Sequence, residues 1–150
     1  MDELRELYQA TILDHNRKPR NFRVIEEANR HANGHNPICG DKLVVSLNLT
    51  EGRVTDVAFQ GTGCAISVAS ASLMTDFARG KTLQEIETEF ERFHQMVTSS
   101  PNSQVDTRAL GKLAVFVGVR EFPMRVKCAT LAWHTLRAAL DADGSVARTE

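Results

Sequence analysis

Hydrophobic positions divide the chain into segments of different period. Over residues 2–15, Leu4, Leu7, Tyr8 and Ile12 recur at helical spacing. Asp2 and Glu3 sit near the positive end of that helix, and Pro19 ends it. From Asn21 to His35 the periodicity is weak. The run Asn33-Gly34-His35-Asn36-Pro37-Ile38-Cys39-Gly40-Asp41 is dense in turn formers and predicts a loop carrying Cys39 and Asp41. Leu43, Val45, Leu47 and Leu49 then alternate with Val44, Ser46 and Asn48, the period of a half-buried strand. Glu51-Gly52 is a turn, and Val54 to Gln60 returns as a second strand with Val57 and Phe59 on one face.

The second half of the chain is helical in pattern. Gly61-Thr62-Gly63-Cys64 opens a helix whose stripe is Ile66, Ala69, Leu73 and Phe77, closed by Gly80. Thr82-Leu83-Gln84-Glu85 is a capping box for a helix periodic at Leu83, Ile86, Phe90, Phe93 and Val97. Residues 98–103 form the clearest loop and the best candidate for mobility. Asp106 caps a short helix with Leu110, Leu113, Ala114 and Val117 inward, closed by Gly118. Pro123 starts a last helix with Val126, Ala129, Trp133, Leu136 and Leu140 on its buried face. Strands grouped ahead of most helices predict an α+β fold, a small antiparallel sheet of two to three strands packed against four to five helices. No repeat or internal boundary breaks the 150 residues, which read as a single domain with a flexible tail from about residue 143.

Composition narrows the function classes. Eighteen basic residues stand against nineteen acidic ones, a net charge of −1, so neither a nucleic-acid footprint nor a polybasic membrane anchor is expected. No apolar run approaches the roughly 20 residues of a membrane span. The acidic, amphipathic MDELRELYQA is unlike a secretory signal. The expectation is a soluble cytoplasmic domain.

Three cysteines carry the chemistry: Cys39, Cys64 and Cys128, with no C-x-x-C pair. In a reducing compartment they are not expected to be disulfide-bonded, and buried inert thiols are the plain alternative. Cys64 lies where two glycines free the backbone and a helix begins, so unpaired N–H groups favour its thiolate. The small residues from Ala65 to Ser72 are expected to keep the surface around it shallow. Cys128 sits in the first turns of the last helix, off the apolar stripe, flanked by Arg125 and Lys127 whose charges also favour thiolate. Cys39 and Asp41 are joined by Gly40, a spacing that brings a sulfur and a carboxylate towards one ion. Three thiolates and one carboxylate make four ligands, the number a tetrahedral Zn²⁺ or the iron pair of a cluster requires. The carboxylate is the harder, more exchangeable member, which suits a site that releases something.

Asn36-Pro37-Ile38-Cys39-Gly40-Asp41, Gly61-Thr62-Gly63-Cys64-Ala65-Ile66-Ser67 and Arg125-Val126-Lys127-Cys128-Ala129-Thr130-Leu131-Ala132-Trp133 resemble, in order, the three motifs of the IscU/SufU (NifU N-terminal-like) iron–sulfur assembly family. Leu7-Tyr8, Asp14-His15 and Pro19-Arg20-Asn21-Phe22 are similar to its opening segment, and the resemblance spans residues 4–140. It implies a SufE/NifU-like α+β fold with Cys39, Asp41, Cys64 and Cys128 as metal ligands around one exposed site. Lys127 stands where IscU-type scaffolds carry histidine. The Cys64-to-Cys128 spacing is about twenty residues longer than theirs by family comparison, the extra length falling in residues 81–101. One proline in Phe122-Pro123-Met124 replaces their proline-rich chaperone segment. These departures resemble the SufU-type branch, which binds zinc and takes persulfide sulfur from a PLP-dependent cysteine desulfurase of the SufS type.

The resemblance therefore implies a zinc-dependent sulfur relay, feeding downstream SUF-type assembly proteins or apo iron–sulfur proteins. On docking, a histidine of the desulfurase takes one coordination position. Cys39 is then freed to accept sulfur, with Arg125 pairing Asp41 or steadying the released thiolate. Three alternatives stay open: a scaffold for a transient [2Fe–2S] cluster at the same ligands, a structural zinc module without turnover, and a cysteine hydrolase. For the last, His31, His35, His94 and His134 lack any context that marks a general base. Whether the chain is itself an enzyme is not decided by these residues.

Overall fold

The computed structural model describes residues 2–141 and 147–148. Helix α1 (Asp2–Arg17) leads into three strands, β1 (Arg30–Asn36), β2 (Asp41–Thr50) and β3 (Arg53–Thr62). Helices α2 (Ala65–Ala78) and α3 (Leu83–Thr98), a 3₁₀ helix (Arg108–Glu121) and α4 (Pro123–Asp141) follow, and β4 is the pair Ala147–Arg148. The sheet order is β3-β2-β1-β4: the first three strands run antiparallel, and β4 lies parallel to β1. This is the expected α+β arrangement. The tail expected to be flexible from residue 143 lies outside the described residues, apart from Ala147–Arg148.

The central hairpin follows the predicted alternation. Leu43, Val45 and Leu47 are buried, while Lys42 and Val44 face out. Glu51 and Gly52 both have positive φ, 52° and 77°, as a two-residue hairpin turn matched to strand twist requires. Leu49 pairs with Val54 and Asn48 with Asp56, leaving Thr55 as the extra residue of a β-bulge. That extra residue is why Val54 and Val57, three apart, both reach the core. Phe59 joins them there, with the Phe22 ring set edge-on at 5.2 Å.

Strand β1 is the element the sequence hides. Its inward residues are Ala32, Gly34 and Asn36, too small or too polar to register as hydrophobic alternation. A Cβ on Gly34 would lie 1.9 Å from Thr135 Oγ1, so the bare backbone is what lets α4 lie against the strand. The turn-rich loop is correspondingly shorter than predicted: Asn33 to Asn36 are strand, and only residues 37–40 form the turn.

Helix α3 is capped as predicted, with Thr82 Oγ1 accepting from the Glu85 N–H and Glu85 accepting from the Thr82 N–H. Its stripe Ile86, Phe90, Phe93 and Val97 is buried, and Phe93 stacks on Trp133 at 5.2 Å. Leu83 is exposed, because the first helical residue precedes the packed turn. The segment expected to be a short helix closed by Gly118 is instead 3₁₀ and runs to Glu121, broken at Gly111. Its cap position is Thr107, with Asp106 accepting from the Arg108 N–H; Val115 and Phe116 are buried and Val117 only half-buried.

Helix α2 corrects a second expectation. Ser67, Ser70 and Ser72 do not line a shallow surface; all three are fully buried against α1 and α4. Ser70 Oγ donates to Ala129 O at 2.6 Å, while Ser72 Oγ accepts from the Arg20 N–H and lies 2.7 Å from His15 Nδ1. Burial pushes the His15 imidazole below the ordinary histidine range. Small side chains here let three helices approach closely.

Candidate metal centre

Each of the three segments delivers one thiol to the same end of the sheet. Between β1 and β2 the turn closes on a hydrogen bond from the Gly40 N–H to Asn36 O at 2.8 Å, with Gly40 at φ 75°. Asn36 and Asp41 face each other as the last register pair of the two strands. Cys39 is thereby exposed at the tip while Asp41 is drawn inward to 0% exposure. From β3 the chain turns at Thr62-Gly63, and Cys64 becomes the N-cap of α2, its Sγ accepting from the Ser67 N–H at 3.4 Å. Cys128 comes from the second turn of α4. It is buried, 3% exposed, which corrects its expected position off the packed face: α4 buries a broad band from Cys128 to Trp133 rather than a narrow stripe.

The donor atoms converge. Cys39 Sγ, a carboxylate oxygen of Asp41 and Cys128 Sγ all lie within 4.8 Å of one another, a set that can hold a metal ion. The Cys39 and Cys128 sulfurs are 3.6 Å apart. A tetrahedral zinc with bonds of about 2.3 Å to sulfur would separate two thiolates by about 3.8 Å. Cys64 joins through its backbone rather than as a member of that set: its N–H donates to Asp41 Oδ1 at 2.9 Å. Three of the four residues expected as ligands therefore form the set, and Cys64 adjoins it through its backbone bond to Asp41.

Electrostatics separates the sulfurs. The Cys128 thiol and the helix N–H groups of Ser67 and Ile66 draw the Cys64 thiol down to about 6, against opposing burial and the Asp41 charge. Cys64 in turn, with burial, pushes Cys128 well above the usual thiol range. Asp41 Oδ2 is buried and has no hydrogen-bond partner among the described residues. A carboxylate oxygen left bare in the interior costs several kcal/mol unless a cation meets it, on the order of what polar burial without compensation costs. Two sulfurs beside that carboxylate, with Cys64 adjoining, fit a thiophilic divalent ion.

Room for the carboxylate comes from Gly63, where a Cβ would fall 2.7 Å from Asp41 Oδ1. From sequence alone that glycine signals only backbone freedom before a helix. Arg125 does not pair with Asp41. Its guanidinium lies 4.4 Å from the Phe122 ring centroid, a cation–π contact. Asn36, quoted in the sequence only as part of a motif, is fully buried and points its Nδ2 at Cys128 Sγ, 3.9 Å away. A polar residue at the inward end of a strand was the available signal. Of the histidines, His94 is exposed, and His134 packs edge-on to Phe90 at 5.2 Å.

Residues 7–140 match the family described as the NifU-like N terminal domain. The chain belongs to this family. It is similar to the zinc-dependent sulfurtransferase SufU of Bacillus subtilis (strain 168), 37% identical over 130 residues that cover 87% of this chain and 86% of the relative. It is also similar to the iron–sulfur cluster assembly scaffold protein IscU of Streptococcus pyogenes serotype M1, 35% identical over 93% of this chain and 86% of that one. Among solved structures, a SUF-system assembly scaffold protein, SufU, of Fervidobacterium islandicum AW-1 superposes with a TM-score of 0.79. It is 35% identical and covers 87% of this chain and 93% of its own. The relatives are thus named both as iron–sulfur cluster assembly scaffolds and as a zinc-dependent sulfurtransferase. Among its described residues no helix is long and apolar enough to cross a membrane.

Proposed function

We propose that this chain is a zinc-dependent sulfurtransferase of the cytoplasm. It accepts persulfide sulfur from a SufS-type, PLP-dependent cysteine desulfurase and passes it to SUF-type assembly proteins or apo iron–sulfur proteins. Cys39, Asp41, Cys64 and Cys128 hold the zinc. The observation that carries this reading is the bare, buried Asp41 Oδ2 beside converging thiols. When bound, zinc supplies the positive charge that keeps the thiols ionised at neutral pH and neutralises the carboxylate.

The chain's own residues divide the work. Asp41 is fixed by the Cys64 N–H, and Cys128 is buried, so both stay in place. Cys39 and Cys64 are both exposed; Cys64 is tied to the start of α2 as its N-cap, and Cys39, at the tip of its turn, is the acceptor. Its thiolate attacks the outer sulfur of the desulfurase persulfide. A new S–S bond forms at Cys39 Sγ as the old one breaks, and the desulfurase cysteine leaves as a thiolate, with no net oxidation. Arg125, three residues before Cys128 on α4 and held against the Phe122 ring, is the positive charge that steadies the freed thiolate.

Desulfurase turnover with and without the protein tests this. The wild-type chain accelerates turnover; Cys39→Ala retains some zinc and does not. Normal acceleration by the variant removes Cys39 from the role, and no acceleration by wild type removes the relay. The name of the Streptococcus relative favours a second reading, a scaffold for a transient [2Fe–2S] cluster at the same residues. Donors gathered within reach of one ion favour zinc, since a two-iron cluster divides its four ligands between two metals. Anaerobic reconstitution separates the two: a coloured, transferable cluster supports the scaffold, and tight zinc with no cluster supports the relay.

A further inference from the structure

We propose that Asn36 is a positioning residue that holds Cys128 as the fixed sulfur of the metal centre and ties it to the turn carrying Cys39. Three bonds place Asn36 at this junction. Its backbone carbonyl accepts from Gly40 at 2.8 Å, its side-chain Oδ1 accepts from the Ile38 N–H at 3.3 Å, and its Nδ2 donates to Cys128 Sγ at 3.9 Å. The first two bracket Cys39 in the turn. The third crosses to α4, 92 residues along the chain.

The direction of the amide is decided by chemistry. The Ile38 N–H can only donate, so the oxygen of Asn36 must face it and the NH₂ must face the sulfur. At 0% exposure that NH₂ has no water to turn to, and the sulfur is its only hydrogen-bond acceptor among the described residues. A sulfur bound to a metal carries negative charge, and N–H donors to such atoms are stronger than those to neutral acceptors. Cys39 receives no such donor from the amide. The asymmetry therefore sorts the two sulfurs: Cys128 is buried and supported, and Cys39 is exposed and free to leave. This inference rests on the reading of Cys128 as a metal ligand.

Asn36→Asp tests it. The substitution keeps the side-chain shape and the oxygen facing Ile38, but puts an acceptor where the donor to sulfur was. Zinc affinity, measured by competition with a chromophoric chelator, is expected to fall about 10- to 100-fold, the usual effect of removing a partner that orients a metal ligand. The thiolate-to-metal bands of the cobalt-substituted protein move to longer wavelength, because the sulfur loses a hydrogen bond. The metal-free variant melts below wild type, because a carboxylate replaces a buried amide, so affinity and bands are read at temperatures where it is folded. Should the buried charge prevent folding, Asn36→Ser answers the same question: its hydroxyl can accept from Ile38 and is too short to reach Cys128. Unchanged or raised affinity with unchanged cobalt bands in the folded variant overturns the assignment and leaves the sulfur relay standing. A wild-type chain that binds neither zinc nor cobalt overturns both.

Discussion

Gly63→Ala is the substitution whose effect can be worked most fully from the geometry. A Cβ at this position would sit 2.7 Å from Asp41 Oδ1 and 3.1 Å from Asp41 Cγ, against ordinary contacts of 3.4 Å or more. The carboxylate must move, and with it goes the 2.9 Å hydrogen bond from the Cys64 N–H. A hydrogen bond to a charged group is worth about 1.5–3 kcal/mol. At about 1.4 kcal/mol per factor of ten, that loss lowers zinc affinity about 10- to 150-fold. The backbone itself tolerates alanine, because Gly63 is not among the glycines with positive φ. Fewer unfolded conformations should even offset a few tenths of a kcal/mol of any strain in the metal-free protein, on the scale of such glycine replacements. Gly118→Ala is the control, since its added methyl would meet nothing within 4 Å and its φ is also ordinary. Chelator competition on both variants, with melting curves of the metal-free proteins, is the assay. Wild-type affinity in Gly63→Ala would refute the claim that Asp41 is held for a metal by its fit against this glycine.

Other outcomes follow from the same coordinates. In the metal-free protein, alkylation of Cys64 should follow a titration centred at about 6, losing rate as pH falls below it, while buried Cys128 stays slow; a midpoint near the ordinary thiol value by mass-spectrometric mapping contradicts this. Thr82→Ala removes one half of the α3 capping box and should cost about 1 kcal/mol. For a chain of this size that is about 2–4 °C in melting temperature. Zinc affinity should not change, because α3 contributes no donor to the site; a variant that loses zinc contradicts the assignment.

What could be read from the amino-acid order depended on how each element meets its neighbours. Helix α3 packs one stripe of large side chains onto Trp133, so its period, cap and core were legible together. The hairpin was legible because β2 alternates cleanly between core and solvent. Strand β1 was not, because its inward face is Ala32, Gly34 and Asn36, chosen by the closeness of α4 and by the needs of the site. The serines of α2 looked like surface for the same reason: tight helix packing selects small residues, and small polar residues imitate exposure. The candidate ligands are legible through chemistry rather than periodicity. Cys64 showed itself by the glycines before a helix, and Cys39 and Asp41 by their spacing. What the linear order concealed was the support around them, the room made by Gly63 and the amide of Asn36, since neither residue type announces a contact that exists only after folding. Arg125 illustrates the reverse case: its charge beside Cys128 invited a partnership with Asp41, and the nearby Phe122 ring took it instead.

The most direct measurement is X-ray absorption at the zinc edge on the purified protein, together with its metal content. One zinc per chain is expected, bound by three sulfurs at about 2.3 Å and one oxygen at about 2.0–2.2 Å. A protein that takes up no zinc, or a zinc shell with fewer than three sulfurs, contradicts it.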